Sequence, residues 1–270
     1  MPTIKIHGLD IYYEVHGSGP PLVLLHHGTG CTKMWEKLLP YFSATRRVVV
    51  YDRRGFGGSQ EGERFRDHYL SDAYGRDCVD ELSAFLQGIG VEDRLDMVGQ
   101  CEGGAIAFQY AARYPDRVSS VVASSTLCAS GTTVTEYCKG KLDNSFQEAD
   151  PEFQQKMIWW HGEKRALELY TLFLQMGGVY GAGLFDLRDA LRTVRCPSLV
   201  LYPDRSGLFE VEQGVMMYRA LRKGELAVMP NCGHNTYLRV EEYQRQVLSF
   251  LERYPRSAGD ERVSHGPAHR

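Results

Sequence analysis

The chain has 270 residues, 43% hydrophobic and 24% charged, the balance of a soluble globular protein with a full core rather than of a disordered chain. A formal net charge of −3 and a pI near 6.3 offer no basic surface, so neither nucleic acid nor an anionic membrane is expected as a partner. No run of about 18 apolar residues could span a bilayer, and the opening Met1-Pro2-Thr3-Ile4-Lys5-Ile6-His7 lacks the apolar stretch of a secretory signal, which makes the cytoplasm the expected location.

In chain order, two alternating segments at 3–6 and 11–15, joined by His7-Gly8-Leu9-Asp10, predict an opening β-hairpin. Continuous apolar runs follow at 22–25, 47–51, 95–98, 118–123, 198–202 and 225–229. Such runs suit strands covered on both faces, as in a parallel sheet flanked by helices. Helical spacing is found between them at about 34–42, 69–87, 104–113, 211–221 and 240–253. The alternation of strand and helix predicts the α/β class.

The stretch from 127 to 195 breaks this alternation, with no convincing buried strand and a helical look interrupted by glycines. Its aromatic content, which includes Phe146, Phe153, Trp159, Trp160, Phe173 and Tyr180, is too apolar to stay solvated and predicts a helical cap inserted into a body of residues 1–126 and 196–254. These aromatics could bind the cap to the body or roof an apolar pocket. The last residues, 255–270, are polar with few large apolar groups and are expected to be disordered, which sets aside His265 and His269.

The segment most informative about chemistry is Gly99-Gln100-Cys101-Glu102-Gly103, between the apolar run at 95–98 and the helical stretch from 104. Strand, tight turn and helix is the setting of a nucleophile elbow, in which glycines let the chain turn sharply and the central side chain is thrust outward at the helix N-terminus. Here that side chain is a thiol. A helix N-terminus favours negative charge, so the expectation is a Cys101 easier to ionise than a free cysteine. Taken alone, the pentapeptide fits equally a small buried residue in a glycine-rich turn. The other six cysteines are scattered without a CxxC pair or a zinc spacing and are expected to be reduced, with no metal.

A thiol nucleophile needs a base, an orienting partner for the base and donors for an oxyanion. His234, in the loop Asn231-Cys232-Gly233-His234-Asn235 between the last predicted strand and the final helix, is placed to be the base. His16, His26, His68 and His161 are the lesser candidates. The turn His26-His27-Gly28-Thr29-Gly30 leaves a buried strand, so the backbone N–H groups of Thr29 and Glu102 could meet as an oxyanion hole. The Glu102 carboxylate itself suits the first turn of a helix, or could touch substrate or raise the Cys101 pKa.

With these segments in place, the chain resembles the α/β-hydrolases, in their esterase, lipase and haloperoxidase-like branch, over residues 3–254. The elbow, the His27-Gly28 turn, the stretch Asp52-Arg53-Arg54-Gly55-Phe56-Gly57-Gly58-Ser59 and the passage Ala112-Arg113-Tyr114-Pro115-Asp116-Arg117 carry the resemblance. It implies a mostly parallel central sheet, a cap over the active site, and the chain order nucleophile, acid, histidine. Gly28, Trp159 and Trp160 are then expected at the substrate. The chain departs from the pattern at two points. Cysteine replaces the usual serine, a variant similar to dienelactone hydrolases and some thioesterase-like members. Ser206 stands where the aspartate often falls, and Asp204, two residues earlier, becomes the expected acid. Glu210 lies further along the same loop, and Ser124-Ser125-Thr126 supplies no acid after the preceding strand.

The expectation is a hydrolase of an ester, thioester or lactone with a Cys101-His234-Asp204 triad, an acyl-cysteine intermediate, a small-molecule acyl substrate and no cofactor. The alternatives are an acyltransferase, cyclase or C–C hydrolase on the same scaffold, or a small-ligand-binding protein that turns nothing over. The sequence carries no signal of oligomeric state.

Overall fold

The computed structural model describes residues 2–254, so the expectation for 255–270 lies outside the described residues. The chain opens with the antiparallel hairpin β1 (Thr3–Ile6) and β2 (Leu9–His16), as the alternating pattern predicts. Next come β3 (Pro21–Leu25), a 3₁₀ turn (Thr32–Trp35), α1 (Leu39–Ser43) and β4 (Arg47–Tyr51). The helix predicted over 34–42 is therefore broken in two: Pro40 lacks the N–H that a continuous helix needs and sits instead in the first turn of α1. Likewise the stretch at 69–87 divides into α2 (Phe65–Tyr69) and α3 (Tyr74–Gly88).

The centre of the molecule follows: β5 (Leu95–Gln100), α4 (Glu102–Arg113) and β6 (Val118–Ser124). The inserted region holds β7 (Ala129–Thr133), α5 (Val134–Tyr137), α6 (Pro151–His161), α7 (Glu163–Leu174) and β8 (Leu184–Asp186), followed by α8 (Arg188–Thr193). No fully buried strand is expected here and none is found among the described residues, but β7 and β8 pair as an antiparallel ribbon, Ala129 opposite Asp186 and Thr133 opposite Leu184. Its residues are largely exposed, so no apolar run announces it. The helix α8, expected within the cap, packs on α4 and on α9 (Val211–Ala220) of the body. The chain closes with β9 (Ser198–Pro203), α9 (Val211–Ala220), β10 (Gly224–Met229), a 3₁₀ turn (Thr236–Leu238) and α10 (Val240–Arg253).

Eight strands form one sheet in the order β1-β2-β4-β3-β5-β6-β9-β10, parallel from β4 to β10 and antiparallel at the β1-β2-β4 edge. Every residue of β3, β5 and β9 is buried, which explains why these strands read as unbroken apolar runs. On the flanks, α10 turns Tyr243, Val247, Phe250 and Leu251 inward, a single stripe at helical spacing. From β3 the chain steps to β4 on one side and then to β5 on the other. The carboxyl ends of β3 and β5 thus flank the point where strand order reverses, the place where open α/β sheets leave a crevice.

Candidate active site

Cys101 stands alone between β5 and α4 with φ 54° and ψ −116°, a conformation that costs a non-glycine residue energy. The surroundings leave no other choice. A Cβ on Gly99 would lie 2.3 Å from the Gly103 carbonyl group, and one on Gly103 would lie 2.2 Å from the Leu25 carbonyl oxygen. The Cys101 N–H donates to the Ser124 carbonyl (2.8 Å), and Thr126 Oγ1 donates to the Cys101 carbonyl (3.0 Å). Four segments therefore fix the backbone from which the thiol projects.

The thiol faces the cap. The Tyr180 hydroxyl donates to Cys101 Sγ at 3.7 Å and accepts the N–H of Leu127 at 3.2 Å. Burial, reinforced by the neighbouring Glu102 charge, pushes the thiol up to about 12, against the smaller downward pulls of Tyr180, the Glu102 amide and Arg53. The expectation of a readily ionised thiol is thus reversed in the unliganded protein: only 6% of the residue is exposed, and desolvation outweighs the helix terminus.

His234 is anchored through its backbone. Its carbonyl accepts from Gln100 Nε2 (2.8 Å), Ser125 Oγ (2.6 Å) and the Thr236 N–H (3.0 Å), which ties the loop to the ends of β5 and β6. The ring is partly buried and its pKa falls to about 4 through desolvation, so the imidazole is neutral at pH 7. Its Nδ1 lies 3.2 Å from Ser206 Oγ. Asp204, expected as the orienting acid, is not there. Its Oδ1 accepts the Cys232 N–H at 3.0 Å and its Oδ2 faces Arg205, so it fastens the loop after β9 to the loop carrying His234 without reaching the imidazole. Those backbone bonds, from Cys232 and then Asn231, hold its carboxyl below the usual range.

The two expected oxyanion donors fare differently. The Glu102 amide acts on the sulfur at the start of α4. The Thr29 amide instead donates to His27 Nδ1 at 3.3 Å, because the tandem histidines turn one ring back over the glycine turn. The Glu102 side chain is wholly internal: Oε2 pairs with Arg53 Nη1 at 3.1 Å and Oε1 accepts the Val179 N–H at 3.1 Å. Arg53 also donates through Nη2 to the His27 carbonyl at 3.0 Å. This buried ion pair holds together the β3 exit, the start of α4 and the cap loop before Tyr180.

A cavity of ≈ 230 Å³ is shared by Cys101, His234, His27, Gly28 and Tyr237 from the body. Lys141, Phe153, Lys156, Trp160, Tyr170 and Phe173 close it from the cap. Of the expected substrate residues, Gly28 and Trp160 line this cavity and Trp159 does not. Trp159 is 55% exposed on the outer side of α6, with Lys33 over its ring. Adjacent residues of a helix point about 100° apart, so only one of the pair can face inward. His161, a lesser candidate for the base, bridges cap and body: Nδ1 accepts the Gly57 N–H (3.0 Å) and Nε2 donates to the Thr29 carbonyl (3.0 Å). Sequence reasoning passed over His27 as a cavity wall and Tyr180 as the partner of the thiol. The doubled histidine at the strand exit was a usable signal for the first; the second depends on how a cap loop folds back.

Known proteins resemble this arrangement along most of its length. The sequence pattern of a family described as alpha/beta hydrolase fold matches residues 20–158. A 2-hydroxy-6-oxo-2,4-heptadienoate hydrolase of Pseudomonas putida is 36% identical over 90% of this chain and 93% of its own length. A proline iminopeptidase of Thermoplasma volcanium is 24% identical over 93% of this chain and 96% of its own. Among solved structures, the enol-lactonase of Burkholderia xenovorans LB400 superimposes with a TM-score of 0.73, covering 93% of this chain and all of that one, at 18% identity.

Proposed function

This chain belongs to the α/β-hydrolase family, and from that premise we propose that it hydrolyses an ester, thioester or lactone of a small, largely apolar acyl compound through Cys101, with His234 as the base. The observation that carries the reading is the thiol on a positive-φ elbow opening into the same ≈ 230 Å³ cavity as the partly buried imidazole of His234. In the reaction the thiol proton passes to His234 as sulfur bonds to the substrate carbonyl carbon. The oxygen charge that develops is met by the amide of Glu102. Collapse expels the alcohol, thiol or ring oxygen, which takes the proton back from His234 and leaves a thioester on Cys101. Water, deprotonated by His234, then adds to the thioester, and the carbon–sulfur bond breaks to release the acid and restore the thiol. The aromatic and aliphatic cap residues suit the acyl group, and Lys141, Asp143 and Lys156 add charged groups to the lining.

Brief exposure to p-nitrophenyl acetate followed by peptide mapping tests the reading. One acetyl group on the Cys101 peptide, absent in Cys101→Ala, is the expected result; acetylation elsewhere with turnover intact overturns it.

A second reading is favoured by the 36% identical relative, whose named substrate is a keto acid without an ester bond. A hydrolase of such a compound has to break a carbon–carbon bond beside the ketone. Turnover of a vinylogous 1,5-diketone in preference to esters would select this reading.

A further inference from the structure

We infer that Ser206 fixes His234 in the tautomer that carries its proton on Nε2, so that the unliganded site opposes a protonated thiol with an imidazole that donates rather than accepts. The inference rests on the proposed roles of Cys101 as nucleophile and His234 as base, and it adds a positioning residue that holds both in reserve.

The donors and acceptors around Ser206 have to balance. A serine hydroxyl has one hydrogen to give and two lone pairs to receive with. Ser206 Oγ accepts the N–H of Leu208 at 3.2 Å and the N–H of Phe209 at 3.1 Å, which fills both lone pairs. At 3.2 Å stands His234 Nδ1. If Nδ1 carried the ring proton, three N–H groups would converge on two lone pairs, and the hydroxyl hydrogen would be left over. With Nδ1 bare, the hydroxyl donates to it and every group is satisfied. A neutral imidazole has one N–H, which then resides on Nε2, the nitrogen on the side of the ring away from Ser206.

An aspartate at 206 would impose the opposite arrangement, because a carboxylate only accepts and would call the proton to Nδ1. Among the described residues no carboxylate is hydrogen-bonded or ion-paired to His234: Asp204 is occupied by the Cys232 amide and Arg205, Glu102 by Arg53 and the Val179 amide, and Asp143 lines the shared cavity on the cap side. The titratable and charged neighbours of the pair are His27, Lys141, Asp143, Lys156 and Tyr237, which share the cavity with both, and Tyr180, Glu102 and Arg53 around Cys101. For the thiol to pass its proton to Nε2, the imidazole must first move its own proton to Nδ1. Ser206 Oγ must then accept it, releasing one of its two amide bonds.

Nitrogen-15 NMR of the full-length protein at pH 7.5, with His234 assigned by its disappearance in His234→Gln, reads the tautomer directly and needs no substrate. The expected result is a bare Nδ1 and a protonated Nε2 in the wild type and in Ser206→Thr, which keeps the hydroxyl. In Ser206→Asp the two nitrogens exchange roles, and alkylation of Cys101 by iodoacetamide at pH 7 rises about tenfold for each unit by which the thiol pKa falls. In Ser206→Ala the preference for Nε2–H weakens and alkylation lies between the two. A protonated Nδ1 in the wild type overturns the inference, as does an Ser206→Asp protein with tautomer and alkylation rate unchanged. Should Ser206→Asp not fold, the wild-type, Ser206→Thr and Ser206→Ala spectra decide. Failure of the functional reading shows itself separately, as hydrolysis that survives Cys101→Ala while the NMR result stands.

Discussion

The elbow between β5 and α4 and the loop between β9 and α9 both serve the site, yet they are built on different principles. At the elbow, backbone lies against backbone: the flanking glycines leave no room for a methyl group, and the positive φ of Cys101 is enforced from four sides. In the loop, Ser206 and Asp204 are held by side chains bonding to amides, and either can be exchanged for another group that satisfies the same donors. The shape of the elbow is thus set by backbone packing, whereas the contacts of Ser206 and Asp204 depend on which side chains stand there.

Substitutions on either side test this contrast. The largest effect is expected from Cys101→Ala, which should reduce hydrolysis to background while the melting temperature holds or rises, since the elbow conformation suits the smaller side chain no worse. Next comes Arg53→Met, which strands the Glu102 carboxylate inside the protein. Removing one partner of a buried pair costs about 3–5 kcal/mol, measurable by urea unfolding. A smaller outcome than that would mean that the carboxyl simply takes up a proton, the direction in which burial already pushes it. Asp204→Asn should lower kcat several-fold by loosening the His234 loop while leaving the pH profile in place; a profile that shifts would restore Asp204 to the triad.

Acid should act on the cap through His161. Its folded-state pKa of about 4 lies below the ordinary value of 6.5, so the unfolded chain binds the proton more tightly, and the stabilisation is present above about pH 6.5 and lost as pH falls towards 4. The advantage in melting temperature of wild type over His161→Gln should therefore shrink between pH 7.5 and pH 5. The smallest effect is expected of Trp159→Ala, with stability changed by about 0.5 kcal/mol or less and KM unaltered, against a clear rise in KM for Trp160→Ala.

Much of this was legible in the sequence because the same forces wrote both. Strands covered on two faces must be apolar throughout, so 22–25, 47–51 and 198–202 announced themselves, and Gly99 and Gly103 marked a turn that no other residue permits. Ser206 was visible as a vacancy of charge, but its actual partners, Leu208, Phe209 and His234, meet only after the loop closes. The ionisation of Cys101 was misjudged for a related reason. A helix terminus can be read from local sequence, but the burial that outweighs it forms only when the whole chain has folded around the elbow. The ribbon of β7 and β8 escaped because its residues face water and so lack an apolar signature.

That ribbon has an evolutionary consequence. The chain leaves the body for the cap along β7 and returns along β8, with Ala129 and Asp186 paired, and partners in an antiparallel ladder lie about 5 Å apart. The residues between them form one inserted segment, and a replacement would have to begin and end within a strand's width and also supply the partners that Val179 and His161 give to Glu102, Gly57 and Thr29. New selectivity can be acquired by exchanging this segment, while the body keeps its sheet, its elbow and its histidine loop unchanged.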